Sequence, residues 1–320
     1  MGINSNRPDR WKADIIRSVD FYNNWFMRFA PEAYKNTRVE TTKQVEVVMK
    51  LTDNFSNISS SLLMQHPEVL SILRMATAPP IARDRLIGLS NSSPNLIKNM
   101  EIEKRLPPKM NNEKLKNEID RVTSVIIRLL DRDIFPWLNS KQNPENSEIY
   151  RTSTIIADRL CGSLSDPIIR NAQERRQLDT LKLWLEQREY IYLKPCDILQ
   201  FDKMKPGTFS FRVNVPVNLG MGANQVNITV DALIMPFNFK AGNFPLLIEA
   251  KSAGDFTNTN KRRKEEAIKV TQLRRTYGDE IYFILFLCGY FDSGYLGYEA
   301  SEGIDWIWEH RIDDLIEMGV

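Results

Sequence analysis

The sequence predicts an α/β (α+β) chain: a helical N-terminal domain over residues 1–145, then a mixed sheet flanked by helices over residues 146–320. Three observations predict it. Apolar residues recur at helical spacing through the first 150 residues, β-rich segments with polar turns follow from about 189, and the turn-rich stretch SKQNPENSE at 140–148 separates the two regions.

Residues 113–134 are the clearest early helix. Leu115, Ile119, Val122, Ile126 and Leu129 share a face, and Asn111 or Asn112 can cap its start. Residues 11–30 and 42–55 predict two more helices, with Ala78-Pro79-Pro80 and Pro107-Pro108 as breaks. Beyond the boundary, Asp166-Pro167 reads as an N-cap and a first-turn proline, opening a helix to about Arg188. Its apolar line carries Leu178, Leu181 and Leu185, with Glu174 on the same line. Strands are expected at 189–193, 208–217, 225–236 and 245–251, the second and third joined by a hairpin through 218–224. A helix over 261–276, a buried strand over 281–288 and a last helix over 304–317 complete the order. The N-terminal domain is expected to grip a partner or to dimerise.

Composition limits the chemistry. Only two histidines occur, His66 and His310, which excludes an HEXXH zinc site and leaves little room for a histidine-based triad. No GxxxxGK[ST] loop is present, so no nucleotide cofactor is expected, and Gly220-Met221-Gly222 is a turn rather than a dinucleotide loop. Cys161, Cys196 and Cys288 form no CxxC pair and predict free thiols in a reducing compartment. No apolar run approaches the ~20 residues that span a bilayer, and the polar start lacks a secretion signal. A cytoplasmic protein without a membrane partner is expected. Any catalysis must run on carboxylates and lysine.

One constellation fits that requirement. In the strand over 225–236, strict alternation puts Val226, Ile228 and Val230 on one face and Asp231 on the other. In the strand over 245–251, Glu249 and Lys251 share a face because they are two apart. Were the strands neighbours, Asp231, Glu249 and Lys251 would converge. Two carboxylates suffice to hold Mg²⁺ against a phosphate, and a lysine beside them can orient the attacking water or take its proton. In-line attack would leave a 5′-phosphate and a 3′-hydroxyl. Glu249-Ala250-Lys251 is the only [D/E]-x-K in the chain, although a strand-end salt bridge reads the same way.

The residues that follow are basic. Over 251–275 there are eight Lys and Arg against three acids, in a chain whose net charge is only +2. A Gly-containing loop running into a basic helix start suits a phosphate backbone, and Asn and Arg can read base edges. The competing reading is a solvated helix in which Glu265 and Glu266 pair with Lys269. Two auxiliary candidates stand beside the trio. Glu174 either supports the metal or the lysine, or is a first-turn carboxylate favoured by the helix dipole. Gln272 either approaches the site or is a polar-face residue. Asp255 either binds a base or caps a turn.

Five segments carry a family resemblance: SDPIIRNAQE at 165–174, VDALI at 230–234, LIEAKSAGDFTNTNKRRKEE at 247–266, GYFD at 289–292 and IDWIWEHRIDDL at 304–315. They resemble the XamI-type type II restriction endonucleases of the PD-(D/E)XK nuclease superfamily, most closely over 150–320 and more loosely at 74–86. The resemblance implies a restriction-endonuclease-like core with Asp231, Glu249 and Lys251 as the catalytic trio and Asp231 and Glu249 as ligands of Mg²⁺. DNA contacts are implied at Asn258, Thr259, Asn260, Lys261, Arg262, Arg263 and Lys264, with Ser252 and Asp255 in the preceding loop. It also implies a prokaryotic enzyme of a restriction-modification system that cuts double-stranded DNA, expected as a homodimer because a palindrome is cut on both strands. Val230 stands where the motif often has proline. Two other readings remain: a structure-specific repair or recombination nuclease, and a non-catalytic DNA-binding protein on a vestigial nuclease fold.

Overall fold

The computed structural model describes residues 2–140, 142–198, 200–218, 225–239, 243–257 and 259–320, with the backbone alone for 260–263. The hairpin turn expected through 218–224 lies mostly outside the described residues.

Two compact units are present, Met1–Phe29 with Arg170–Val320, and Ala30–Ile169. The second is helical, as its periodicity predicts. Its core joins Val45, Val48 and Met49 of α1 (Pro8–Leu51), Leu63 of α2 (Ser60–Gln65) and Leu70, Ile72 and Leu73 of α3 (Leu70–Met75). α4 (Arg83–Ser90), α5 (Pro94–Glu101), α6 (Asn112–Leu129) and α7 (Trp137–Ser140) add Leu86, Leu96, Ile97, Ile119, Val122, Ile126 and Trp137. α6 is capped by Asn111, whose side chain accepts from the backbone of Glu113 and Lys114.

Two helical expectations change. The helices expected over 11–30 and 42–55 are one, α1, with Pro31 inside it. A proline removes one backbone donor, and flanking Ala, Glu, Lys and Arg favour the helix on either side. Likewise Pro167 does not open a helix but lies within α8 (Asn146–Glu186). Ile156, Ala157, Leu160 and Cys161, upstream of it, are buried in the helical unit's core, so packing holds the helix well before Asp166.

The other unit is built on a six-stranded mixed sheet in the order β1-β2-β3-β4-β5-β6. The strands are β1 (Ile191–Tyr192), β2 (Thr208–Asn218), β3 (Gln225–Met235), β4 (Leu246–Ala253), β5 (Phe283–Gly289) and β6 (Asp305–Trp308). β2, β3 and β4 pair antiparallel, whereas β4, β5 and β6 pair parallel through the crossover helices α9 (Thr259–Tyr277) and α10 (Ser293–Ser301). One face packs Leu233, Leu247 and Leu285 with Val270 and Leu273 of α9 and Tyr295 and Leu296 of α10. The other packs Ile234, Ile248 and Phe286 with Leu181, Trp184 and Leu185 of α8. Cys161 and Cys288 are buried and Cys196 exposed, all as free thiols.

Three findings correct the sequence reading of this unit. Residues 304–317 are not one helix but β6 followed by a 3-10 helix, Glu309–Met318. Trp306 and Trp308 pack on one face of the sheet and Ile307 on the other, which is strand periodicity. α10 was not anticipated, although Asp292 caps it by accepting from Tyr295 N at 2.7 Å. The compact units also do not divide at 145. The first residues serve the sheet: Asn4 donates to the Trp306 carbonyl at 2.8 Å and to Asp314 at 2.9 Å, and Trp11 meets Trp306 edge-on at 5.5 Å. No helix among the described residues is long and apolar enough to cross a membrane.

Candidate active site

The site lies where β3 and β4 part. Their pairing runs from Ile234↔Leu246 to Ala232↔Ile248. At the next step side chains take over the backbone groups. Asp231 Oδ2 accepts from Ala250 N at 2.9 Å, and Lys269 Nζ of α9 donates to the Thr229 carbonyl at 2.9 Å. The fork therefore sets Asp231 against Ala250 of β4, close enough for the charges of Glu249 and Lys251 to act on it.

Strict alternation does not hold through β3, however. Val230 packs in the same cluster as Leu233 and Met235, while Ala232 and Ile234 face the opposite core. β2 reverses at the same level, with Phe209 on one face and Val213, Val215 and Val217 on the other. The pairs Phe211↔Ala232 and Val213↔Val230 are formed, and between them Arg212 takes a φ of 53°. A left-handed residue inside a strand is costly and shifts its neighbours to the other face. Val230 and Asp231 consequently do not separate onto two faces in the way the alternation predicted.

Lys251 Nζ donates to Glu249 Oε1 at 3.1 Å, and Lys269 Nζ contacts Glu249 Oε2 at 2.7 Å. Glu249 is thus held by two ammoniums. Lys251 has a second partner, Glu266 Oε1 at 3.5 Å, and Glu266 Oε2 accepts from Tyr295 Oη at 2.9 Å. From the other face of the sheet, Gln177 of α8 donates to the carbonyls of Lys251 at 3.3 Å and Phe286 at 3.1 Å, tying β4 to β5 at the site.

The electrostatics follow from burial and from these neighbours. Burial, then the charge of Glu249, pushes Asp231 up to about 6, against the opposing hydrogen bond from Ala250 and the charges of both lysines. Burial lowers Lys251, but Glu249 and Glu266 outweigh it and raise it. Burial also raises Glu266. Glu299 on α10, fully buried, is pushed up to about 8 by burial and then by the charge of Glu266. It is therefore uncharged at neutral pH. Its contribution to stability is fully present below its ordinary 4.5 and is lost as pH rises through about 8. Glu299→Gln should match the wild type in thermal stability near pH 4 and exceed it at pH 9; parallel melting curves across that range would contradict the assignment.

Among the described residues, no group of three or more His, Cys, Asp and Glu could by itself hold a metal ion. Asp231 and Glu249 offer two carboxylates with the Thr229 carbonyl nearby, an oxygen-only set. That donor chemistry fits Mg²⁺, which keeps several waters and takes the rest of its shell from phosphate, and it does not fit zinc.

The auxiliary and DNA-reading candidates divide. Glu174 is turned to Arg212 at 2.7 Å rather than to Lys251, and Gln177, one turn on along α8, holds the strand instead. Gln272 is half-buried, with no side-chain hydrogen bond to the trio. Asp255 accepts from Thr257 N at 2.8 Å, the turn-capping alternative. Thr259 is buried and donates to the Phe256 carbonyl, so it faces the protein. Ser252 is half-buried in β4, and Lys264 is exposed on α9. Asn258 lies outside the described residues, as do the side chains of Asn260, Lys261, Arg262 and Arg263. Glu266 does not pair with Lys269 on a solvated face; it is buried against Lys251. Glu266, Lys269 and Gln177 were missed as site residues. A signal existed for two of them: positions 266, 269, 270 and 273 share one helical face with the buried Val270 and Leu273.

A mixed sheet between helical layers, with D…E-x-K gathered at the fork of β3 and β4, is the restriction-endonuclease-like core expected from the sequence. A family model described as XamI restriction endonuclease matches residues 53–308. The type II restriction enzyme SalI of Streptomyces albus G is 50% identical over 317 residues, covering 99% of both chains. The chain belongs to the XamI restriction endonuclease family. Among solved structures, protein VC1899 from Vibrio cholerae aligns with 80% of this chain and 55% of its own length, at 13% identity and a TM-score of 0.27, a likeness that carries no argument.

Proposed function

We propose that this protein is a type II restriction endonuclease that hydrolyses double-stranded DNA at a specific sequence, using Mg²⁺ and leaving 5′-phosphate and 3′-hydroxyl ends. The observation that carries the reading is the convergence of Asp231, Glu249 and Lys251 at one strand fork, in a chain half identical to a type II restriction enzyme. Asp231 and Glu249 would hold the metal, which supplies a Lewis acid and a bound water of lowered pKa.

The protein's own groups divide the remaining work. With its pKa raised, Lys251 is a charged donor rather than a base, which favours the water-orienting role over proton abstraction. Its ammonium also balances charge gathering on the phosphate oxygens. Asp231 must give up its proton before it can serve as a ligand. Exposed Lys264 and the basic start of α9 supply phosphate contacts beside the site. A homodimer supplies the second active site for the opposite strand.

Digestion of DNA of known sequence with Mg²⁺, followed by sequencing of the ends, tests this. Discrete fragments sharing one short sequence at their ends, and no cleavage in excess chelator, are expected. Cutting at junctions or flaps whatever the sequence would support a repair nuclease, and binding without cutting would support a vestigial fold.

A further inference from the structure

The E-x-K strand does not hold its lysine alone. Lys251 Nζ sits between Glu249, two residues away on β4, and Glu266, delivered by α9. Glu266 is 2% exposed and Tyr295, which donates to it, is fully buried. Behind them Glu299 is also fully buried.

Packing does not explain a carboxylate there. Its neighbours on the same helical face, Val270 and Leu273, are core residues, and an apolar side chain at 266 would avoid the desolvation that burial imposes on a charge. A buried ion pair is a poor stabiliser compared with apolar residues of similar size. What the carboxylate does supply is direction. Lysine is a flexible four-carbon stem with three donors. One anchor on its own strand leaves it free to swing; a second charge, from a different element, fixes where the ammonium sits. Glu249 is shared with Lys269 and with the carboxylate pair of the site, whereas Glu266 has Lys251 as its ion-pair partner.

We propose that Glu266 is the positioning residue of Lys251, holding the ammonium from α9, with Tyr295 seating its carboxylate. The inference rests on the reading of Lys251 as catalytic.

The test uses the full-length protein and a duplex carrying the cleavage site mapped from the sequenced ends. Single-turnover cleavage is measured in Mg²⁺, and DNA affinity separately in Ca²⁺. Glu266→Gln should slow cleavage about 10- to 100-fold, on the scale of a lost charged contact in a buried site. DNA affinity and melting temperature should stay near wild type. Glu266→Asp, which keeps the charge, should recover part of the rate, and Tyr295→Phe should cause a smaller loss of the same kind. In a Lys251→Ala background with residual activity, Glu266→Gln should cost nothing further, since it acts through the lysine.

Wild-type cleavage by Glu266→Gln would overturn the proposal. So would a rate loss matched by an equal loss of DNA affinity, or Glu266→Asp being no faster than Glu266→Gln. If Glu266→Gln does not fold, Glu266→Asp and Tyr295→Phe decide: rates unchanged in both would overturn it. An inactive Lys251→Ala beside a fully active Glu266→Gln would sink this inference alone. A fully active Lys251→Ala would instead sink the reading of the site.

Discussion

Asp231→Asn should abolish Mg²⁺-dependent cleavage while making the metal-free protein more stable at pH 8. Loss of the charge proposed to hold the metal leaves Glu249 as the one carboxylate at the fork, and Glu249 is already neutralised by Lys251 and Lys269. A fall in cleavage of about 10³-fold or more is expected, with divalent-cation affinity lost alongside, because nucleophile activation and charge stabilisation both depend on the bound metal. The stability effect has the opposite sign. The pKa of Asp231 is raised from 3.8 to about 6, so its contribution is fully present below 3.8 and is lost as pH rises through about 6. The neutral amide removes that loss and can still accept from Ala250 N. Acidification should imitate the substitution reversibly: wild-type cation affinity should fall as pH drops through about 6. Calorimetric titration with Ca²⁺ and melting curves at pH 5 and pH 8 check both halves. A variant that binds Ca²⁺ as the wild type does would remove Asp231 from the site.

Lys251→Met is the second large effect. Methionine is also unbranched, but the change withdraws the ammonium that stands between Glu249 and Glu266. A loss in single-turnover rate of about 10²- to 10³-fold is expected, the range for removing a donor aimed at developing charge. DNA affinity in Ca²⁺ should change little, because the proposed phosphate contacts are those of the basic start of α9 and not of Lys251. The missing charge also leaves Glu266 buried without its counter-ion, so the melting temperature should fall and should recover in Lys251→Met/Glu266→Gln. Lys251→Arg should not restore cleavage, since a planar guanidinium cannot take the place of a compact ammonium between two carboxylates. Full cleavage by Lys251→Met would contradict the assignment.

Legibility in the sequence tracks how local the cause is. The four central strands and α9 were read to within a few residues because alternation and helical periodicity are local signals. Glu249 and Lys251 share a side because residues two apart always do on a regular strand. β6 was misread because four residues of strand running into a 3-10 helix, IDWIWEHRIDDL, resemble one amphipathic helix until β5 is there to pair with them. The start of α8 was misplaced for the converse reason. Asp166-Pro167 is a sound start signal, overridden by Ile156, Ala157, Leu160 and Cys161 packing into the helical unit. Glu174 was singled out and Gln177 passed over because an acid advertises chemistry, whereas a glutamine bonded to two strand carbonyls advertises nothing until those strands are adjacent.

By itself the sequence singled out the trio proposed here, since a lone E-x-K ending an apolar strand and an aspartate in the strand before it are properties of the chain order. It also determined the class of chemistry, by supplying too few histidines and no P-loop for the alternatives. Only the tertiary structure decided how the trio is held. The fork of β3 and β4 arises where pairing stops, the change of face at Asp231 goes with the left-handed backbone of Arg212 on the neighbouring strand, and Glu266 and Lys269 enter from α9 across the crossover. Those are contacts between residues about 15 to 20 apart along the chain. Periodicity can say which side a residue faces, but not which charge waits for it there.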